Sequence, residues 1–206
     1  MTNPLAYFIT FTAYGTWLHG RDPGSVDRQH NAVGTPLLPP DAKREATRRK
    51  TMRQEPYVLD EPRRAIVLRT IREVVTHRGW KLWAAHVRTN HVHIVITAPP
   101  KPEKVMADLK AWASRRLREA FGESEDRDRW TQHGSTRYLY TEASLNAAIV
   151  YVVDNQGESM ACLDYRNEPA VNEAEALATD TNEPDNEPEA LATDTNERRT
   201  PMSRNR

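Results

Sequence analysis

Cysteine is almost missing from this 206-residue chain; Cys162 stands alone. No intramolecular disulfide can form, and a reducing compartment is the expected setting. No stretch approaches the roughly 18 consecutive apolar residues of a membrane span. No basic segment followed by an apolar run opens the chain. A soluble, cytoplasmic protein without membrane contact is therefore expected. Net charge is missing too, with 29 basic and 29 acidic residues, but that zero hides a division. Residues 1–166 carry 25 Lys and Arg against 19 Asp and Glu, whereas 167–206 carry 4 against 10. A basic body with an acidic tail directs attention to a polyanionic partner for the body.

The tail explains its own composition. Glu-Ala-Leu-Ala-Thr-Asp-Thr-Asn-Glu occurs at 175–183 and again at 189–197, within a tandem duplication of 172–185 and 186–199. Each copy has one leucine and no aromatic residue. Two such copies bury too little apolar surface to offset the entropy of ordering, so 167–206 reads as a disordered acidic tail. The globular domain is then 1–166.

Within the body, Tyr7 to Thr12 is rich in β-formers and reads as the first strand. Gly15 and Gly20 mark a change of direction after it, with Trp17 and His19 as packing and rim residues. Residues 21–60 form a long, glycine- and proline-punctuated insertion. Near its end lies a basic run (Lys43, Arg44, Arg48, Arg49, Lys50 and Arg53) in a short helix, which serves either as a solvated face or as a contact for backbone phosphates. A helix starts at Asp60-Glu61-Pro62, where acids and proline suit the unpaired amides of a first turn, and Gly79 ends it. Trp80 to Val87 is the second strand. Arg88-Thr89-Asn90 turns it back into a third, antiparallel strand, His91 to Thr97.

Side chains alternate along a strand, so His91 and His93 share a face with Cα atoms roughly 6.5–7 Å apart. Two neutral imidazoles so placed can share one divalent ion. After Pro99 to Pro102 comes a second helix, with Val105, Leu109, Trp112 or Ala113, Leu117 and Phe121 at helical spacing and Lys104, Lys110, Arg115, Arg116 and Arg118 around it. Gly122 closes it. Tyr138 to Tyr140 suggests a short strand. A last helix is expected from about Ser144 to Gln156, with Gly157 as its terminator. On such a helix Tyr151 and Asn155 project side by side, about 40° apart, while Gln156 points about 140° away. His86 sits in the neighbouring strand, where packing is its expected role.

The order β-α-β-β-α-β-α describes an α+β, ferredoxin-like antiparallel sheet with its first two helices on one face. The last helix can then meet the histidine strand and bring His91, His93, Tyr151 and Asn155 together. With Asn90-His91-Val92-His93 and Tyr151-Val152-Val153-Asp154-Asn155-Gln156 in this order, the chain resembles the IS200-type (Y1) transposases and the related REP-associated tyrosine transposases. Both belong to the HUH superfamily of single-strand endonucleases. The resemblance spans roughly residues 5 to 160.

It implies that Tyr151 is a nucleophile that holds cleaved DNA as a 5′-phosphotyrosine, and that His91 and His93 bind Mg²⁺ or Mn²⁺. It implies a polar third ligand one turn after the tyrosine, here Asn155, with Gln156 as the rival. The implied partner is single-stranded or hairpin DNA, and homodimers occur in the family. Arg48, Arg49, Lys50, Arg53, Arg88, Lys110 and Arg115 are the basic residues expected to contact it. An alternative within the same fold is a domesticated hairpin-binding protein without transposition activity. A small-molecule metal hydrolase would leave Tyr151 and Asn155 without a role. The long insertion and the duplicated acidic tail depart from the family's compact core.

Overall fold

A computed structural model describes residues 3–16, Leu18 and 39–166 of the chain. Trp17, His19, Gly20, residues 21–38 of the insertion and the acidic tail lie outside the described residues. Among the described residues the fold is α+β: five antiparallel strands and four helices. In chain order these are β1 (Ala6–Ala13), α1 (Ala42–Lys50), α2 (Glu61–Arg78), β2 (Lys81–Val87), β3 (His91–Thr97), α3 (Pro102–Phe121), β4 (Trp130–Leu139), α4 (Glu142–Val153) and β5 (Ala161–Asp164). The sheet order is β4-β1-β3-β2-β5, every pairing antiparallel. Among the described residues no helix is long and apolar enough to cross a membrane.

Alternation along the strands gives the sheet two unlike faces. Ile9, Phe11, Val92, Ile94, Ile96 and Val87 point one way and are buried against α2 and α3. Those helices supply Val67, Ile71 and Val74 from α2 and Val105, Leu109 and Leu117 from α3. The other face is covered by α4, whose Leu145, Ala148, Ile149 and Val152 pack on Ala6, Ala84, Val95 and Leu139. Asp60 caps α2 by accepting from the Arg63 amide, and Gly79 ends it at φ 62° in the left-handed region.

Three elements differ from the sequence expectation, each for a tertiary reason. The fourth strand is ten residues long rather than three; its Thr, Gln, His, Gly and Ser residues carry no apolar alternation, and pairing with β1 makes the strand. Gly134 is needed there, because a Cβ would lie 2.5 Å from the Thr10 carbonyl oxygen and 2.5 Å from Met106 Sδ. The last helix stops at Val153, with Asp154 as its C-cap, three residues before the expected end. The Asp154 amide still donates to the Val150 carbonyl, while its carboxylate pairs with Arg166 (2.8 Å). Beyond it β5 adds to the β2 edge, a four-residue strand too short to announce itself.

The segment between α1 and α2 is strapped to one end of the sheet. The Tyr57 amide donates to the Tyr14 carbonyl and the Leu59 amide to the Thr89 carbonyl, each at 2.8 Å. A buried ionic cluster fixes the strap from behind. There Glu123 accepts from Arg63 (3.0 Å), Arg129 (2.9 Å) and the Tyr57 hydroxyl (2.9 Å). Burial, and the carboxylate that accepts its proton, push the Tyr57 phenol up to about 12.

Candidate active site

His91 and His93 occupy the α4 side of β3, near the sheet end to which the strap is bonded. Their rings lie edge to face with centroids 4.5 Å apart. Each is oriented through Nδ1. His91 Nδ1 donates to Asn90 Oδ1 at 2.6 Å, and His93 Nδ1 sits 2.7 Å from Thr10 Oγ1 on the adjoining strand. Thr10 and His93 are directly opposed in the β1–β3 register, so backbone pairing sets that contact. The Nε2 atoms are left for a ligand. Burial holds both imidazoles below their ordinary value. For His93, with His91 also beside it, the value falls to about 3; for His91 the second cause is the Arg88 guanidinium. Both rings are thus neutral, with lone pairs free, near pH 7.

Tyr151 is brought to this pair by α4. Its ring centroid is 5.6 Å from that of His93 and 5.8 Å from that of Phe8, and Phe8 in turn is 5.6 Å from His93. Tyr151 remains 43% exposed, so solvent and a long substrate both reach it. All three groups come from the same chain.

Beyond the helix end, the loop turns Gln156 inward. Its Nε2 donates to the Tyr151 carbonyl at 3.0 Å, which fixes the amide. Gln156 lies beside both His91 and His93, where its side chain opposes the fall in their pKa. Asn155, expected at the site from helical spacing, is exposed beyond the end of α4, because the helix needed to aim it stops at Val153. Among the described residues no three His, Cys, Asp or Glu side chains cluster as a metal site; beside the histidines lies the Gln156 amide.

His86 secures this loop. It is fully buried opposite His93 in the β2–β3 register. Its Nδ1–H donates to the Val152 carbonyl (2.9 Å), and its Nε2 accepts from the Met160 amide (3.3 Å). A carbonyl on one nitrogen and an N–H on the other permit only the neutral Nδ1–H tautomer. Burial accordingly holds its pKa below the ordinary value. The ring staples both ends of the segment that carries Gln156. The sequence marked His86 for packing; its bonds to backbone on either side of Gln156 depend on contacts 66 and 74 residues away in the chain.

The model of the family described as "Transposase IS200 like" matches residues 47–152, just over half of the chain, including both histidines and the tyrosine. The chain belongs to the IS200-like transposase family. Two solved structures are similar in outline. One is a REP-associated tyrosine transposase bound to a REP hairpin, at 11% identity and TM-score 0.40, covering 75% of this chain and 67% of that one. The other is a "putative transposase" from Deinococcus radiodurans R1, at 17% identity and TM-score 0.41, covering 76% of this chain and 93% of that one. No curated protein matches the chain.

The basic residues of this IS200-like transposase fall into three groups. Arg88 lies beside the histidines, donates to the Glu158 carbonyl at 2.6 Å and pairs with no carboxylate among the described residues. Arg48, Arg49, Lys50 and Arg53 are exposed on or just after α1, a helix with no buried residue. Lys110 and Arg115 are on α3, across the sheet from the histidines. The Lys110 ammonium is spent on the Thr131 and His133 carbonyls (2.9 and 3.1 Å) above the Phe11 ring, and burial lowers its pKa to about 8. Arg115 stacks near Trp112. These two do not converge on the site.

Proposed function

We propose that this IS200-like transposase cuts and rejoins single-stranded DNA through a covalent 5′-phosphotyrosine on Tyr151, with hairpin DNA as the structure it engages. The observation that carries this reading is the packing of the Tyr151 ring 5.6 Å from His93, itself paired with His91, within one chain. In cleavage the Tyr151 oxygen bonds to phosphorus and the bond from phosphorus to the 3′ oxygen breaks. The phenolic proton passes to solvent, and the departing 3′ oxygen takes one up. In rejoining, another 3′-hydroxyl attacks the phosphotyrosine and the phenol is restored.

The donor set fits a divalent ion: two imidazoles kept neutral by burial and one amide oxygen, His91, His93 and Gln156. Nitrogen donors place Mn²⁺ at least level with Mg²⁺. When bound, such an ion supplies Lewis-acid polarisation of the non-bridging phosphate oxygens. Asn90 and Thr10 hold the rings in orientation, and His86 holds the loop that presents Gln156. Arg88 offers a guanidinium to the substrate phosphate, and the exposed arginines and lysine of α1 offer backbone contacts at the rim. Because tyrosine and histidines meet within one protomer, a homodimer would pair two assembled sites.

The test is incubation of the full chain with Mn²⁺ and single-stranded DNA taken from the sequence flanking its own locus, followed by denaturing electrophoresis. A protein–DNA adduct is expected with the native chain and absent with Tyr151→Phe. An adduct that persists in Tyr151→Phe would overturn the assignment.

A further inference from the structure

The α4 side of the sheet is covered over only part of its width. Helix α4 packs on β3 and β2 through Ala148, Ile149 and Val152, and its first turn reaches β1 and β4 only at Ala6 and Leu139, through Leu145. Toward the other edge, Phe8, Thr10 and Thr12 of β1 are only half-buried, whereas Tyr7, Ile9 and Phe11 on the opposite side are buried. The edge strand β4 continues this open strip. Ser135 is opposed to Thr10 and Arg137 to Phe8, so their side chains rise on the same face as the histidines. Thr131 joins them, its hydroxyl 2.9 Å from that of Thr12. On the helix side, Ala147 and Ser144 lie one and two turns before Tyr151, so the wall beside the strip is low.

The chemistry of this strip is one-sided. Strands β1, β3 and β4 contain no Asp or Glu at all. Arg137 is exposed and has no ion pair or hydrogen bond among the described residues, unlike Arg63, Arg116, Arg127, Arg129 and Arg166, which are all bonded. The half-exposed Phe8 ring touches both Tyr151 and His93. An unpaired guanidinium, hydroxyls and an aromatic ring beside a nucleophile, with no carboxylate, suit a phosphate backbone whose bases are unpaired.

We propose that the β1–β4 half of this face is the track for the single strand on one side of the attacked phosphate, with Arg137 holding a backbone phosphate and Phe8 contacting the adjacent base. The inference rests on the proposed function but is tested by binding, which needs no cleavage. The probe is fluorescent oligo(dT) titrated against the full chain in chelator at several salt concentrations. Arg137→Gln is expected to weaken binding about 5- to 10-fold and to lower the slope of log affinity against log salt by about 0.7, the share of one single-strand phosphate. Arg72→Gln, an exposed arginine on α2, removes the same charge and should leave both unchanged. Ultraviolet crosslinking of bromodeoxyuridine-substituted strands is expected to mark the β1 and β4 peptides. Equal weakening by both variants, no weakening by Arg137→Gln, no binding even at low salt, or crosslinks confined to α1, α2 and α3 would each overturn the track. Failure of the native chain to form the Tyr151 adduct would instead count against the proposed function, whatever the binding result.

Discussion

Two faces of one sheet are drawn from the same strands and are put to different uses. Along β3, Val92, Ile94 and Ile96 enter a closed apolar layer, while His91 and His93, one residue out of phase, emerge on the side of α4. The closed face is sealed by two helices of 18 and 20 residues; the other carries one of 12 and leaves β1 and β4 half open. Period-two alternation thus lets a rigid core on one side fix the positions of reactive groups on the other. The site's precision thus comes from the sheet, and its accessibility from a face that carries a single short helix among the described residues.

The sharpest way to separate the faces is to remove one oxygen from the open one. Tyr151→Phe should leave the melting temperature within a degree or two of the native chain, because the ring still packs on Phe8 and His93. It should abolish the DNA adduct, a loss of at least about 10⁴-fold in cleavage as expected when a covalent nucleophile is deleted. Melting curves and adduct yield, read on the same preparation, decide it. The matching lesion on the closed face is Ile94→Ala. Ile94 is fully buried, and its truncation should cost about 3–4 kcal/mol in urea unfolding. Activity per folded molecule, measured well below the unfolding transition, should change far less than stability does.

A third prediction works within the open face. Gln156→Ala should weaken Mn²⁺ binding by roughly 10- to 100-fold in calorimetry, whereas Asn155→Ala should leave it unchanged. If Asn155→Ala weakens binding and Gln156→Ala does not, the loop rearranges when the ion enters, and the amide contacts to His91 and His93 are not those of the ligand set.

That pair also shows where the sequence was legible. The histidine strand, the Asp60 cap, Gly79 and the tyrosine helix follow from local signals: β-branched alternation, capping chemistry and apolar periodicity. The placing of Gln156 beside the histidines does not follow, because it is aimed by a loop rather than by a helix. That loop is held by His86, by Arg166 on Asp154 and by the pairing of β5 with β2, all made with residues distant in sequence or beyond the helix. Strand β4 was underestimated for the same kind of reason, since its polar residues become a strand only beside β1. Basic residues were legible as charge but not as direction. Arg88 faces the histidines, while Lys110 and Arg115 belong to the far side.

Lys110 supplies the smallest prediction and the one that probes the closed face most directly. Its ammonium is held over Phe11 by two carbonyls, and burial lowers its pKa from the usual 10.5 to about 8. Between pH 8 and 10 the unfolded chain keeps a proton on this lysine that the folded chain has released. Stability contributed by Lys110 therefore rises with pH through that window and is lost on the way back down. Tyr57 acts in the opposite sense only above pH 10, where the unfolded phenol ionises and the folded one, held near 12, does not. The native chain should thus gain about 1–2 kcal/mol in urea unfolding from pH 8 to 10 relative to Lys110→Met, after allowance for the partial exposure of the group. Parallel pH profiles for the two proteins would mean that the ammonium is solvated and that the closed face is less closed at the Lys110 edge than its neighbours Phe11 and Leu109 indicate.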